Sequence, residues 1–279
     1  MTLSVRRIGF HVFVIAFGLL MIYPILWTLA SSLKPESEIF KHAGSLIPST
    51  LEWNNYIKGW SGFGTTSFSI FFRNSAVITL FGLVGTLFSS SVVAFGFARL
   101  KFRTQSLFFA CLMITMMLPS QVTMIPQYIM FHKLNWVNTF LPLIVPHYIG
   151  GSPFFIFMMI QFFRGIPREL DEAAVIDGCN TYHIFWKVIL PLAKPAFMTV
   201  AIFSFMWTWD DFLGPLIYLN DPKLFTVSMG LRMFSDPSSV SNWGYMFAMS
   251  VLSLIPQFLI FFTFQKYIVE GIATTGLKG

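Results

Sequence analysis

The sequence predicts an all-α integral membrane protein with six transmembrane helices. Apolar residues make up 55% of the chain and charged residues only 11%, whereas a soluble domain carries about 25% charged residues. The apolar residues also occur in runs long enough to cross a bilayer as helices, which takes about 20 residues each. The net charge of +6 comes from basic residues that flank these runs. This composition excludes an ordinary soluble domain.

Six segments are long and apolar enough to span the bilayer, and they cover residues 8–30, 74–98, 106–130, 139–163, 195–218 and 244–268. The first follows Arg6 and Arg7. It is longer than the core of a signal peptide, which has about 7–15 residues, so we expect it to be retained as a helix. Several segments contain prolines, which membrane helices tolerate where neighbours satisfy the freed backbone groups. We therefore expect a single transmembrane domain over residues 1–279.

The basic residues orient these helices, because membrane proteins carry an excess of Lys and Arg in their short cytoplasmic loops. The short segment "ARLKFR" between the second and third spans holds Arg99, Lys101 and Arg103. Assigning it to the cytoplasm puts most of the basic residues on that side. Both termini are then cytoplasmic, together with a loop over residues 164–194 and a tail over residues 269–279.

The loop over residues 164–194 differs from the rest of the chain because it mixes charges of both signs with helix-forming alanines. Pro167 suits the start of a helix. The first turn then holds Glu169, Asp171 and Glu172, whose negative charge is favourable at a helix N-terminus. Gly178 is suited to end this helix, because glycine readily adopts the left-handed backbone found at helix ends.

A second helix is predicted after this glycine, where Asn180 or Thr181 can cap a segment that runs through "YHIFWKVIL" until Pro191 breaks or kinks it. Two interpretations of this helix–turn–helix remain open. It can seat in the groove of a partner protein, where the small side chains of Ala173 and Ala174 allow a close approach. It can instead lie as an amphipathic helix on the bilayer surface.

The same loop resembles the EAA signature of permease subunits of ATP-binding-cassette importers. That signature reads Glu-Ala-Ala, three residues, Gly, nine residues, and then Ile-x-Leu-Pro. The chain has "EAAVIDGCNTYHIFWKVILP", in which only Val188 departs from the signature, as a conservative change from isoleucine. The segments "IPSTLEWNNYI" and "FFRNSAVIT" and the ending "VEGIATTGLKG" also resemble this family, in particular the maltose-transporter G-subunit type of its carbohydrate-uptake branch.

The resemblance implies a fold, a location, partners and a coupling site. The fold is that of a type I ABC importer permease in the bacterial plasma (inner) membrane. The partners are a second, homologous permease, an ABC ATPase dimer that binds ATP and Mg, and an extracytoplasmic solute-binding protein, and the cargo is a sugar or oligosaccharide. The residues implied to couple to the ATPase are Glu172, Ala173, Ala174, Asp177, Gly178, Leu190 and Pro191.

The segment "WTWDDFLGPLIYL" holds the second group of candidate site residues, Trp207, Asp210 and Asp211. It resembles the fifth-helix segment of the carbohydrate-uptake permeases, in which Asp210 replaces an expected Asn. Ionisable residues inside a membrane usually face a cavity or a partner. These three residues therefore line the translocation pathway or form an interface, and for the aspartates we favour a structural link to a neighbouring helix.

The chain has no signature of an enzyme. It lacks the GxxxxGK[ST] phosphate loop, so we expect ATP hydrolysis in a separate subunit. Its histidines and its two cysteines, Cys111 and Cys179, show no metal-ligand spacing. We expect His147, inside a span, to be a packing residue. No basic stripe outside the membrane flanks suggests nucleic acid.

Two alternatives remain open at this point. An importer for a glycerol-phosphate-type or polyol cargo would use the same machinery, although the lack of Lys and Arg in the middle of the spans favours a neutral sugar. A secondary transporter would need no ATPase. It would more often show internal repeats and ion sites inside the membrane, and it would leave the EAA loop without a role.

Overall fold

The computed structural model describes residues 5–235 and 242–276, and the side chains of residues 7–235 and 242–267. Over these residues the chain is helical and contains no β-strand, which confirms the all-α prediction. The α-helices are α1 Val5–Ser32, α2 Glu36–Ile39, α3 Asn54–Ser61, α4 Phe68–Arg99, α5 Gln105–Met117, α6 Ser120–Lys133, α7 Leu141–Tyr148, α8 Pro153–Gly165, α9 Glu169–Ile176, α10 Thr181–His183, α11 Leu190–Leu192, α12 Lys194–Asp210, α13 Leu213–Tyr218, α14 Val227–Phe234 and α15 Trp243–Gly276. A π-helix covers Ile184–Ile189 and a 3₁₀ turn covers Pro222–Leu224.

Four stretches of these helices are long and apolar enough to cross a membrane, namely Arg7–Ser32, Phe68–Arg99, Leu141–Gly165 and Trp243–Tyr267. Two further helix pairs pass the same test together but are sharply bent, α5 with α6 by 103° and Thr181–Leu192 with α12 by 76°. The described part of the chain therefore holds four spans, or up to six if each bent pair is one span. The helix of α15 continues to Gly276, and residues 277–279 of the predicted tail lie outside the described residues.

The predicted segment 106–130 is not one continuous helix. The break falls at Leu118, which has an extended backbone (φ −78°, ψ 125°), and Pro119 follows it. A proline disfavours the helical conformation of the residue before it, because its ring clashes with that residue's backbone. The sequence therefore marks the position of the bend, although the apolar composition on both sides conceals it.

The predicted segment 195–218 was also wrong as a single helix. Helix α12 ends at Asp210, Asp211 is extended (φ −60°, ψ 122°), and a separate helix begins at Leu213. Pro215 explains this end, because a proline inside a helix clashes with the carbonyl four residues earlier, here that of Asp211. The hydroxyl of Ser228 donates to this carbonyl over 2.7 Å and so satisfies it.

The described residues group into two compact units. One comprises Met1–Ser69 and Gly230–Ile255, and the other comprises Ile70–Met229 and Pro256–Gly279. The single domain over residues 1–279 stays a prediction. The second unit carries every residue that was proposed for a site.

Polar contacts hold the first unit together. The ammonium group of Lys34 is buried and donates to the carbonyls of His42 (3.2 Å) and Ser45 (2.6 Å). The Glu36 carboxylate accepts hydrogen bonds from the backbone N–H groups of Trp243 (3.0 Å) and Gly244 (2.9 Å). These N–H groups lie in the first turn of α15, where a carboxylate satisfies free donors and interacts favourably with the helix dipole.

The second unit is built on α4, which packs closely against α7. A Cβ atom placed on Gly85 would lie 2.5 Å from the ring of Tyr148, so only glycine allows the helices to approach this closely. At the next residue of α4, the hydroxyl of Thr86 lies 2.9 Å from Nδ1 of His147. The hydroxyl of Ser89 donates to the His147 carbonyl over 2.7 Å. His147 is thus a packing residue with its own hydrogen-bond partner, as predicted.

Replacing Gly85 by alanine is expected to lower stability by about 1–3 kcal/mol, because the added methyl group overpacks the contact with Tyr148. The matched control is Gly96→Ala in the same helix, where a Cβ atom would meet nothing within 4 Å. The control should be neutral or slightly stabilising, because alanine is the better helix former by about 1 kcal/mol. The midpoints of thermal unfolding in one detergent compare the two variants. Equal midpoints for both would contradict this account of the α4–α7 contact.

Candidate functional site

The first half of the charged loop folds as the sequence predicts. Helix α9 covers Glu169–Ile176 and holds three acidic residues in its first turn. Gly178 follows with φ +80°, a left-handed conformation that strains any residue with a Cβ atom. The side chain of Asn180 then accepts a hydrogen bond from the backbone N–H of His183 over 2.9 Å and caps α10. The helix, glycine turn and second helix are confirmed.

The second half of the loop contains a π-helix, which the sequence did not reveal. In this helix the N–H group of Leu190 donates to the carbonyl of Phe185, five residues earlier. Pro191 has no N–H group and so leaves one bond out, but the helical bonding resumes with the N–H of Ala193, which donates to the Ile189 carbonyl over 2.9 Å. The chain does not bend at Pro191, however. The 76° bend falls at Ala193 (φ −86°, ψ 9°), and Pro195 then lies in the first turn of α12, where a missing N–H costs nothing.

Three polar contacts attach the loop to the end of α4. Nε of Arg99 lies 3.3 Å from Oδ2 of Asp171, and the Arg99 side chain is only 4% exposed. Nη2 of Arg99 also donates to the Ile166 carbonyl over 2.9 Å, and Nη2 of Arg168 donates to the Ala98 carbonyl over 3.3 Å. In the sequence, Arg99 is recognisable only as a cytoplasmic charge and Asp171 only as a charge at a helix end. Neither the charges of these two residues nor their spacing in the sequence indicates that they form a contact.

The coupling residues implied by the resemblance lie in different environments. Ala174 is buried in the core of the second unit, beside Phe163 and Ile189, so it offers no surface to a partner. Glu172, Ala173, Asp177, Gly178 and Pro191 are exposed, and Leu190 is half-buried.

The most exposed apolar side chains of this loop are not among the residues predicted for a site. Ile176 is 86% exposed and Tyr182 is 78% exposed, and Val175 and Trp186 are more than half exposed. We call these four residues the apolar tip of the loop. Large apolar side chains that are exposed in a segment with acidic residues are typical of a surface that another protein covers.

Asp210 and Asp211 have separate surroundings. Asp210 is the last residue of α12 and is exposed. Asp211 is half-buried, and its Oδ1 atom accepts a hydrogen bond from the backbone N–H of Gly214 over 3.2 Å. This bond closes the turn between α12 and α13, as expected of a structural role.

Trp207 lies one helical turn before Asp211 and belongs to an aromatic cluster. Its ring stacks on Phe155 with the ring centres 5.0 Å apart, and it also contacts Phe154 and Phe203. Both Trp207 and Asp211 line a cavity of about 160 Å³ inside the second unit. The structure therefore brings these two predicted residues together, whereas Asp210 does not line this cavity.

Breaking the ion pair between Arg99 and Asp171 is expected to loosen α9, because removal of one partner leaves a largely buried guanidinium without its counter-charge. In Asp171→Ala we expect the amides of α9 to exchange their hydrogens at least about tenfold faster than in the wild type, which corresponds to about 1.4 kcal/mol. Glu169→Ala is the control, because Glu169 is an exposed acid in the same turn. Unchanged exchange of α9 in Asp171→Ala would show that the ion pair does not hold the loop.

Comparison with known proteins identifies the family. The family model for the binding-protein-dependent transport system inner membrane component matches residues 90–274. The arabinooligosaccharides transport system permease protein AraQ of Bacillus subtilis is 35% identical over 278 residues, which cover 99% of this chain and 97% of that protein. The trehalose/maltose transport system permease protein MalG of Thermococcus litoralis is 30% identical over 275 residues, which cover 98% of each chain.

A solved structure shares the fold. It is a bacterial ABC transporter involved in the import of the acidic polysaccharide alginate, one chain of which superposes with a TM-score of 0.82 at 22% identity. The match covers 96% of this chain and 98% of that one. With the family match and the relatives over nearly the whole length, this chain belongs to the inner membrane components of binding-protein-dependent transport systems.

Proposed function

We propose that this chain is the permease subunit of an ATP-driven, binding-protein-dependent importer for sugars or oligosaccharides. The family match gives the role of an inner membrane component. The cargo is inferred from relatives that are named for arabinooligosaccharides and for trehalose and maltose. The observation that carries the proposal is the apolar tip, which stands exposed on a loop anchored to the end of α4.

The partner at this loop is proposed to be an ABC ATPase, which binds the ATP and Mg that this chain has no motif to bind. A short helix with exposed apolar residues suits a groove on another protein. Contact with the bilayer suits it less, because Glu172 and Asp177 are exposed beside the apolar residues and anionic lipid headgroups would repel them. Within the signature, Ala174 acts through its small size, which lets α9 pack on its own core.

The loop is proposed to work as a lever. Closure of the two ATPase subunits would move the apolar tip, and the Arg99–Asp171 ion pair would pass this movement to α4. A partner can shift a conformational equilibrium only through a difference in its affinity for the two states. The loop therefore has to bind the closed ATPase dimer more tightly in one state of the permease than in the other.

The membrane topology and the remaining partners follow from the same proposal. Helix α12 counts as one span and the bent pair of α5 and α6 as another, which gives six spans with both termini and the loop over residues 164–194 in the cytoplasm. A second, homologous permease would complete the translocation pathway, and a solute-binding protein would deliver the cargo from outside. A glycerol-phosphate-type or polyol cargo would use the same machinery, and a secondary transporter would not use the apolar tip.

Affinity purification of the tagged chain from gently solubilised membranes tests this assembly. We expect a second permease and an ATPase with a phosphate loop to co-purify. In Ile176→Glu, a charge replaces the most exposed apolar side chain of the tip, and we expect at least about a tenfold loss of the ATPase, as for an interface hot spot. The second permease should be retained.

The control for this experiment is Thr104→Glu, which makes the same change of charge at an exposed position between α4 and α5. It should retain both partners. Recovery of the wild-type chain alone, under conditions that preserve other importers, would favour the secondary transporter instead.

Gly178 provides a test of the lever. In Gly178→Val a β-branched residue has to adopt φ +80°, which costs about 1–3 kcal/mol and distorts the turn. We expect uptake to fall while the ATPase remains bound and active, so that ATP hydrolysis is no longer coupled to transport. Gly178→Asn is the control, because asparagine tolerates the left-handed conformation. Uptake and ATP hydrolysis are measured on the same proteoliposomes, and normal coupling in Gly178→Val would contradict the lever.

A further inference from the structure

The cavity beside Asp211 is walled by helices α4, α7, α12 and α13 of the second unit and by the chain after the 3₁₀ turn. Its volume is about 160 Å³, which is below the range of about 300–1,000 Å³ found for sites that take a drug-sized ligand. The space is therefore suited to one ring of a larger molecule. The polar and aromatic residues that line it are Ser75, His147, Trp207, Thr208, Asp211 and Thr226.

The lining supplies both kinds of contact that a sugar ring needs. The indole ring of Trp207 is covered on one side by Phe155 but remains 51% exposed, which leaves aromatic surface for the apolar face of a ring. The Asp211 carboxylate accepts hydrogen bonds from the backbone N–H groups of Gly214 and Leu213. It retains further acceptor positions for hydroxyl groups.

The charge of the residues that line the cavity determines which sugars it can bind. Asp211 is its acidic residue, and neither Lys nor Arg lines it. A second carboxylate brought next to Asp211 would be repelled, with no cation at the cavity wall to compensate. A bound metal ion is disfavoured, because no group of three or more His, Cys, Asp or Glu side chains comes together in the part of the chain that the structure describes.

We propose that this cavity is a subsite for one ring of a neutral saccharide, and that Asp211 is the residue that discriminates against uronic acid rings. The inference rests on the proposed function, because it assumes that sugars reach this chain. It goes further by placing a contact with cargo in this subunit and by assigning selectivity to one side chain.

The test uses the assembled transporter, purified with its partners, in a background in which Cys111 and Cys179 are replaced by serine. Thr208→Cys places a thiol in the cavity wall, and its rate of alkylation is measured with and without sugar. We expect maltotriose or arabinotriose to protect this cysteine from alkylation. Trigalacturonate should need at least about tenfold higher concentration for the same protection, because like charges at a binding site act against the wrong ligand. The control is Thr65→Cys in the segment before α4, which is exposed outside the span and does not line this cavity. Its alkylation should not respond to any of the sugars.

Asp211→Asn then isolates the charge. Asparagine also offers an oxygen to the N–H of Gly214, so the turn is retained while the negative charge is removed. In this variant we expect the concentrations of trigalacturonate and neutral sugar needed for protection to come within about threefold of each other. A discrimination that persists unchanged in Asp211→Asn would overturn the role of this residue. If Thr208→Cys does not assemble, Thr226→Cys on the same cavity gives the same readout.

Uptake by wild-type proteoliposomes distinguishes a failure of the proposed subsite from a failure of the proposed function. If either neutral trisaccharide is taken up but neither protects the cysteine, the subsite is wrong and the proposed function stands. If the assembled wild-type transporter takes up neither of them, the neutral sugar cargo is overturned together with the subsite.

Discussion

The close approach of α4 to α7 is the contact around which the second unit is arranged. It depends on side chains that are absent or small, since Gly85 makes room for the ring of Tyr148 and Thr86 bonds to His147. Packing of this kind is what holds helices together in a membrane, where lipid is as apolar as the helix surface and burial of apolar area gives no advantage. The hydrogen bonds from hydroxyl groups then fix the register. Because α4 is held in this way along its middle, both of its ends have defined positions.

Those two ends carry the two regions to which a function is assigned. Near the start of α4, the amide of Asn74 donates to the carbonyls of Lys223 and Phe225 (2.9 and 3.0 Å) and so orders the chain segment beside the cavity. At its other end, Arg99 holds α9. A helix of 32 residues is about 48 Å long at 1.5 Å per residue, which is longer than the hydrocarbon core of about 30 Å. The charged loop and the cavity therefore lie at opposite ends of one continuous helix.

Local features of the sequence predicted local features of the structure. The acidic first turn of α9, the left-handed Gly178 and the cap at Asn180 each depend on residues a few positions apart, and all three were found as expected. The breaks at Leu118 and Asp211 were missed. Pro119 directly follows Leu118, and Pro215 lies four residues after Asp211, so both breaks have a signal in the sequence. The spans were predicted from apolar composition, and the effect of these prolines on the helical backbone was given too little weight. The Arg99–Asp171 ion pair and the exposure of Ile176 could not be predicted, because both depend on how distant segments pack.

The continuity of α4 also limits how the proposed lever can work. Interfaces and packed cores switch between discrete arrangements and do not deform gradually. If the loop and the cavity are attached to one rigid helix, a movement of α9 carries the cavity with it, and the relative position of the two changes little. Alternating access then has to come from movement of this rigid assembly against something else, which in the proposed importer is the second permease. If the proposed subsite exists, this chain would then bind a sugar ring in every state. The interface between the two permeases would decide to which side of the membrane the ring is open.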